Sequence, residues 1–444
     1  MNFQGKNIGI IGLGKSGYWS AKLARNLDFN VFITDMNLNT NQSYINDLKK
    51  LNVEVEIGKH SEKILDCDII IKSPGVPNKI DILNKIYENK IPVISEIDFA
   101  SFFSKVDNIC VTGTNGKTTT VSLIFDILSS ELNILKSGNI GIPFSKVVFE
   151  NSLYEENRFD YCVLELSSFQ LEHSENLKKE ISAILNISAD HMDRYDSVEH
   201  YLNTKSKIFD NSKFCIYNFD DSQIRERFLD KDNKHFAFSL KKGHGDFYLD
   251  NNEIKSKNSN YSLDIEHCKI RGMHNISNFI AAATIAKKVG ISEKNIFNQI
   301  KNFKGLPHRF EHFLNHDGID FINDSKSTNI DSAIMAIKSI NNNIILIMGG
   351  IPKEKDFSKI LQFKNNIKTI IAYGKAAKSI RNSLSKEIDI IIIEQFKDAV
   401  QMSIQCAKEG STVLLSPACS SFDQFKNFEE RGVLFKNIVE RFYA

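Results

Sequence analysis

What the 444-residue sequence lacks narrows its function before any motif is read. It lacks a charge excess: Lys+Arg 56 against Asp+Glu 55 leaves a formal net charge of +1. That balance gives no electrostatic reason to expect a nucleic-acid partner, and only a local basic patch would provide one. It lacks paired cysteines. Cys67, Cys110, Cys162, Cys215, Cys268, Cys406 and Cys419 are scattered and odd in number, with no Cys-x-x-Cys. Neither a disulfide framework nor a zinc site is suggested, and several of the seven sit in apolar runs as small hydrophobes. It also lacks a long apolar run. The richest, residues 388–393, is strand length and contains Asp389, whereas a membrane span needs roughly 20 apolar residues. No charged-then-apolar leader precedes the first strand-like run, and low-complexity segments and repeats are absent. The expectation is a reduced, cytoplasmic protein with no membrane partner, of about two to four domains.

What is present is alternation. Short β-branched runs at 7–11, 31–34, 68–72, 108–112, 161–166, 181–187 and 213–217 are separated by longer amphipathic segments. The pattern restarts at 320–323, 344–348, 369–373, 389–393 and 413–415. This is the signature of α/β folds with mostly parallel sheets. A polar stretch at 241–262 reads as irregular or short-stranded, and a helix is expected over 275–289. Breakers near 92–97 and at Lys304-Gly305-Leu306-Pro307 divide the chain into expected domains 1–96, 97–304 and 305–444.

Two glycine-rich turns follow strand-like runs. Gly12-Leu13-Gly14-Lys15-Ser16-Gly17 opens a helix, and Asp35 follows the next strand. This is the context of a dinucleotide fingerprint, with glycines for close backbone approach and an acid for a ribose hydroxyl. A plain strand-to-helix turn would also need glycine. Gly113-Thr114-Asn115-Gly116-Lys117-Thr118-Thr119 stands between a buried strand and a helix. Its backbone N–H groups suit phosphate oxygens, Lys117 the β/γ region and Thr118 a Mg²⁺ ion. Val111 stands where the common phosphate loop has its first glycine, so the loop is a shortened one. Glu165 ends a strand-like run where Mg²⁺ is commonly held, although a strand-end glutamate is more often solvated. Asp190-His191-Met192-Asp193-Arg194-Tyr195 follows another strand end, and taken alone a loop histidine is more often structural. Lys205, on a charged helix, reads by itself as a solvated face.

Taken in order, these segments resemble the Mur ligases of bacterial cell-wall synthesis. Ser73-Pro74-Gly75, Gly138-Asn139-Ile140-Gly141, His274-Asn275-Ile276-Ser277-Asn278, His308-Arg309 and Asp324-Ser325-Lys326-Ser327-Thr328 extend the likeness along the whole chain. The segment 416–432, Ser-Pro-Ala-Cys through Phe428-Glu429-Glu430-Arg431-Gly432, is similar to the branch that adds D-glutamate. The resemblance implies an N-terminal Rossmann-like domain, a central phosphate-loop domain and a C-terminal Rossmann-like domain. It implies ATP as co-substrate and two Mg²⁺ ions, with UDP-N-acetylmuramoyl-L-alanine and D-glutamate as substrates of a monomeric enzyme.

It also implies roles for residues. Lys117, Glu165, His191, Lys205 and Lys326 would be catalytic. Gly113–Thr119, Asn275, Asn278, Arg309 and Asp324 would hold ATP. Gly14, Lys15, Ser16, Asp35, Ser73, Pro74, Gly75, Asn139 and His191 would hold the UDP substrate, and Lys326, Thr328, Lys353, Ser421 and Phe428 the D-glutamate. The metals would fall to Thr118, Glu165, His191 and a carbamylated Lys205, with Lys207 as the alternative lysine. Three domains contributing to one site imply domain closure. Rival readings are another Mur-type ligase, a folylpolyglutamate synthase, or a nicotinamide-dependent oxidoreductase built on Gly12–Gly17.

Overall fold

Parallel strands roofed by helices on both faces must be apolar on both faces, and the isoleucine-rich runs of this chain meet that requirement. The protein is described by a computed structural model covering residues 6–444 except 189, 191, 193, 230–233, 258–259, 271 and 342. The first sheet is five-stranded and parallel, in the order Glu54–Ile57, Asn30–Asp35, Asn7–Ile11, Ile69–Lys72, Val93–Ser95. The second is six-stranded and parallel: His235–Phe238, Ser212–Asn218, Lys179–Ile184, Asp107–Thr112, Tyr161–Glu165, Ile134–Gly138. The third runs Glu311–His316, Ile319–Asn323, Thr412–Leu415, Ile344–Gly349, Ile367–Tyr373, Ile390–Ile393, with only Glu311–His316 antiparallel. The polar stretch takes the short-stranded form, a small sheet of Phe247–Asp250, Glu253–Ser256 and Ser262–Asp264, the first two antiparallel.

The chain divides into two compact units. One, Met1–Leu263 with Ser277–Ile300, carries the first two large sheets; the other, Asp264–Ile276 with Lys301–Ala444, carries the third. Inside the first unit, buried polar contacts join the two sheet layers. Helix Glu96–Phe103 begins with Ser95 as its cap. It carries a buried Glu96 that accepts from the Ser145 N–H at 2.5 Å, at the start of helix Phe144–Glu150. Two residues on, Asp98 accepts from the backbone N–H groups of Asn176 and Leu177, each at 3.0 Å. Arg194 donates to the Pro74 carbonyl and to Glu172, which also accepts from Asn78.

Topology then decides where ligands can sit. Open α/β sheets bind at the carboxyl ends of strands, where successive crossovers diverge to opposite sides. In the first sheet that point lies between Asn7–Ile11 and Ile69–Lys72, and in the second between Asp107–Thr112 and Lys179–Ile184. Both glycine-rich turns emerge there. All seven cysteines are free thiols, six of them buried. Among the described residues, no helix is long and apolar enough to cross a membrane.

Candidate active site

The first turn borders a cavity of about 1110 Å³ lined by Gly14, Lys15, Ser16, Asp35, Ser73, Pro74, Gly75 and Asn139. Asp35 closes the turn: one carboxylate oxygen accepts from the Leu13 N–H at 2.6 Å and the other from Asn37 at 2.7 Å. Ser73 donates to the Gly12 carbonyl at 2.8 Å, tying the two strand ends at the switch point. Asn37, Lys59, His60, Lys79 and Gln170 are among the other residues of the lining. None of these five carries a role in the motifs legible from the sequence.

The second turn is held by a neighbour that the motif does not contain. Asn186 accepts from the Asn115 N–H at 2.8 Å and donates to its carbonyl at 3.0 Å, while its own carbonyl accepts from Thr114 at 2.9 Å. Gly116 adopts φ +81°, and a Cβ there would fall 2.4 Å from Asn278 Oδ1, so both backbone and packing require glycine. Lys117 curls back onto its own loop, donating to the Gly113 and Thr114 carbonyls at 2.7 and 2.8 Å. The N–H groups at the start of helix Lys117–Leu128 form a nest whose chemistry suits an anion, as in phosphate loops, on the shortened loop read from the sequence.

Glu165 ends the adjacent strand, in register with Val111. Its Oε1 accepts from the Asn139 amide at 2.8 Å; its Oε2 is buried without a hydrogen-bond partner. The Asn139 N–H also donates to the Glu165 carbonyl at 2.9 Å, and Gly138 before it, at φ +99°, permits that approach, since a Cβ there would fall 2.1 Å from the same carbonyl. A buried carboxylate oxygen left unmatched beside a phosphate loop suits a hard cation. Lys205 is fully buried, and its Nζ donates to the Gly113 carbonyl at 3.0 Å. Burial and the Lys117 ammonium hold its amine well below the ordinary lysine range, against the pull of Asp190 and Glu165. Lys207 is elsewhere, donating to the Glu172 carbonyl at 3.0 Å. Of the two lysines, the fold brings Lys205 to the loop. His191 lies outside the described residues, as does Asp193. Among the described residues no cluster of three or more His, Cys, Asp or Glu side chains could hold a metal by itself.

In the second unit the named residues sit on loops leaving the carboxyl ends of three strands. Asp324, Lys326 and Thr328 follow Ile319–Asn323; Lys353 follows Ile344–Gly349; Ser421 follows Thr412–Leu415. The Lys353 and Ser421 loops are stitched together, Ile351 and Ser420 exchanging backbone bonds of 2.9 and 3.0 Å. The Lys326 ammonium stands 4.1 Å over the Phe428 ring. Asp324 accepts from the Phe310 N–H and the Ser416 hydroxyl, and burial still raises its carboxyl to about 7. Asn275 is buried, accompanied in this unit by a half-buried Arg309, and Lys353 is exposed.

Comparison with known proteins meets this geometry along the whole chain. Residues 7–82 match the MurD N-terminal domain, 111–286 the Mur ligase middle domain, and 308–419 the Mur ligase glutamate ligase domain. A UDP-N-acetylmuramoylalanine–D-glutamate ligase of Thermoanaerobacter pseudethanolicus is 37% identical, covering 99% of each chain. The chain belongs to the Mur ligase family. Within it, relatives of the same name include that of Chloroherpeton thalassium, 36% identical over 98% of each chain. The fold is shared more widely. The MurF ligase of Thermotoga maritima, solved in complex with ADP, superposes with TM-score 0.64 at 15% identity, covering 99% of this chain and 100% of that one. The UDP-N-acetylmuramate–alanine ligase of the same organism gives 0.59 at 20%, covering 99% of both.

Proposed function

We propose that this chain uses ATP to join D-glutamate to UDP-N-acetylmuramoyl-L-alanine, a step of peptidoglycan precursor synthesis. Its relatives' shared name supports the substrates. One observation carries the chemistry: a pinned phosphate loop with Lys117, an unmatched Glu165 oxygen and a buried Lys205 gather around the carboxyl end of strand Asp107–Thr112.

A carboxylate is a poor electrophile and must first be activated. One oxygen of the acceptor's alanyl carboxylate attacks the γ-phosphorus of ATP, ADP departs, and an acyl phosphate results. The D-glutamate amine then attacks the carbonyl carbon, loses a proton, and inorganic phosphate leaves an amide behind. Three anionic partners must converge, so most of the catalysis is electrostatic. In this reading the loop N–H groups and Lys117 cradle the triphosphate. The turn at Gly14–Ser16, Asp35 and Ser73–Gly75 holds the UDP moiety. Lys326, Thr328, Lys353, Ser421 and Phe428 hold D-glutamate, with the two lysines matched to its carboxylates. Thr118, Glu165, His191 and carbamylated Lys205 would hold two Mg²⁺ ions, which when bound offset phosphate charge. A buried lysine relieved of its proton is the form that can react with CO₂. Use of ATP as co-substrate supports a cytoplasmic location for the reaction.

The test is phosphate release by the purified protein given ATP, UDP-N-acetylmuramoyl-L-alanine and single amino acids. Release that requires all three substrates, and that selects D-glutamate over L-glutamate and L-alanine, is the expected outcome. Phosphate release indifferent to the acceptor, or hydride exchange with a nicotinamide, would refute it.

A further inference from the structure

Arg431 is the largest fully buried side chain among the described residues, and the proposed chemistry gives it no task. Its position is electrostatically unfavourable in three ways. It is completely desolvated. No carboxylate among the described residues lies at ion-pair distance from it. It also sits in the first turn of helix Phe428–Tyr443, whose N-terminal end repels cations. A neutral residue filling the same volume would be the cheaper structural choice.

What holds it is a set of loop acceptors. The guanidinium donates to Ser325 Oγ at 3.0 Å and to the Ser325 carbonyl at 2.7 Å. It donates also to the Tyr373 hydroxyl at 3.1 Å and the Cys419 carbonyl at 3.2 Å. Ser325 in turn donates to the Phe428 carbonyl at 2.8 Å. Ser325 adjoins Lys326, and Cys419 is two residues from Ser421. One planar fork therefore spans the loops that carry a lysine, a serine and the aromatic ring of the amino-acid pocket. An arginine keeps its charge whatever its burial.

We propose that Arg431 is a positioning residue of that pocket. It fixes the Lys326 and Ser421 loops, and it adds a permanent positive charge behind them that favours a dicarboxylate over a monocarboxylate amino acid. The proposal rests on the D-glutamate reading given above.

Steady-state kinetics of the full-length protein with D-glutamate and D-glutamine test it, using Arg431→Gln and Arg431→Lys. Arg431→Gln should raise the D-glutamate KM about 10-fold or more and narrow the preference over D-glutamine, while the KM values for ATP and acceptor stay within about 2-fold. Arg431→Lys, which keeps charge but loses the fork, should restore the preference for D-glutamate and only part of its KM. An unchanged D-glutamate KM would overturn the proposal, as would a loss spread evenly over kcat and all three KM values. Should Arg431→Gln not fold, Tyr373→Phe removes one acceptor and keeps the charge. It should raise the D-glutamate KM a few-fold without changing the preference; no change in either Tyr373→Phe or Arg431→Lys overturns the proposal. A wild-type protein that ignores D-glutamate is a separate failure, that of the ligase reading itself.

Discussion

Lys205 and Arg431 are both fully buried basic residues with no carboxylate at ion-pair distance among the described residues, yet they answer burial oppositely. Lys205 yields. Its amine is held by the Gly113 carbonyl and lies beside a second ammonium, so the proton becomes hard to keep. Arg431 does not yield, and its charge is spread instead over four acceptors on neighbouring loops. The difference lies in the side chains: an ammonium is a compact, strongly hydrated charge that gives up its proton when buried, whereas a guanidinium cannot. The rim of the second sheet thus acquires a group that can change its chemistry, and the rim of the third a charge that cannot be removed.

The largest expected effect tests what depresses the Lys205 amine. Lys117→Ala removes both the proposed phosphate contact and the ammonium that helps to depress the Lys205 amine. Phosphate release should fall by about 10³-fold or more, while UDP-substrate binding stays measurable by calorimetry. Full turnover in this variant would refute the loop assignment.

Exchanging one kind of buried cation for the other is the next test. Lys205→Arg should lose about 10²-fold or more in kcat, because a guanidinium can neither deprotonate nor be carbamylated. Lys205→Ala should lose as much but recover partly when acetate or formate is added, and Lys207→Ala should be close to wild type. Rescue of Lys207→Ala with a silent Lys205→Ala would reverse the assignment.

How much of this was legible in the sequence follows from which contacts are local. The strand runs read from the sequence are, with one exception, central strands. Those missed, Glu54–Ile57, Val93–Ser95, Ile134–Gly138, His235–Phe238 and Glu311–His316, are all edges of their sheets. An edge strand is half solvated and need not carry an apolar run, so it leaves no hydrophobic signal; Ile390–Ile393 was visible because it is four isoleucines. The phosphate loop and the Asp35 fingerprint were legible because turn, strand and helix are contiguous. Asn186, which pins that loop from 71 residues away, was not. Arg431 appeared only as part of a family-like segment. Its partners, Ser325 and Tyr373, lie 106 and 58 residues away, and no spacing rule encodes such a meeting. Lys205 read as a solvated helix face, since nothing in its neighbours announces that the helix turns it inward.

Glu96 gives the smallest effect and extends the comparison to an acid. It sits at the buried junction of the first two sheets, one oxygen on the Ser145 N–H and the other without a partner. Burial outweighs the hydrogen bonding from Ser145 and the Phe144 backbone and pushes its carboxyl up to about 7, so like Lys205 it is shifted toward its neutral form by desolvation. A carboxyl raised in the folded state binds its proton more tightly there than in the unfolded chain. Its contribution to stability is therefore fully present below the unfolded value, near 4.5, and is lost as pH rises through about 7. Glu96→Gln removes the titration and leaves an oxygen able to accept from Ser145. Denaturant unfolding of both proteins should show the variant gaining on wild type by on the order of 3 kcal/mol between pH 4.5 and 8. Taking the difference cancels other groups raised the same way, Asp98 and Asp324 among them. A difference that stays flat with pH would mean that Glu96 remains ionised in its buried site, and that the unmatched oxygen is solvated or paired after all.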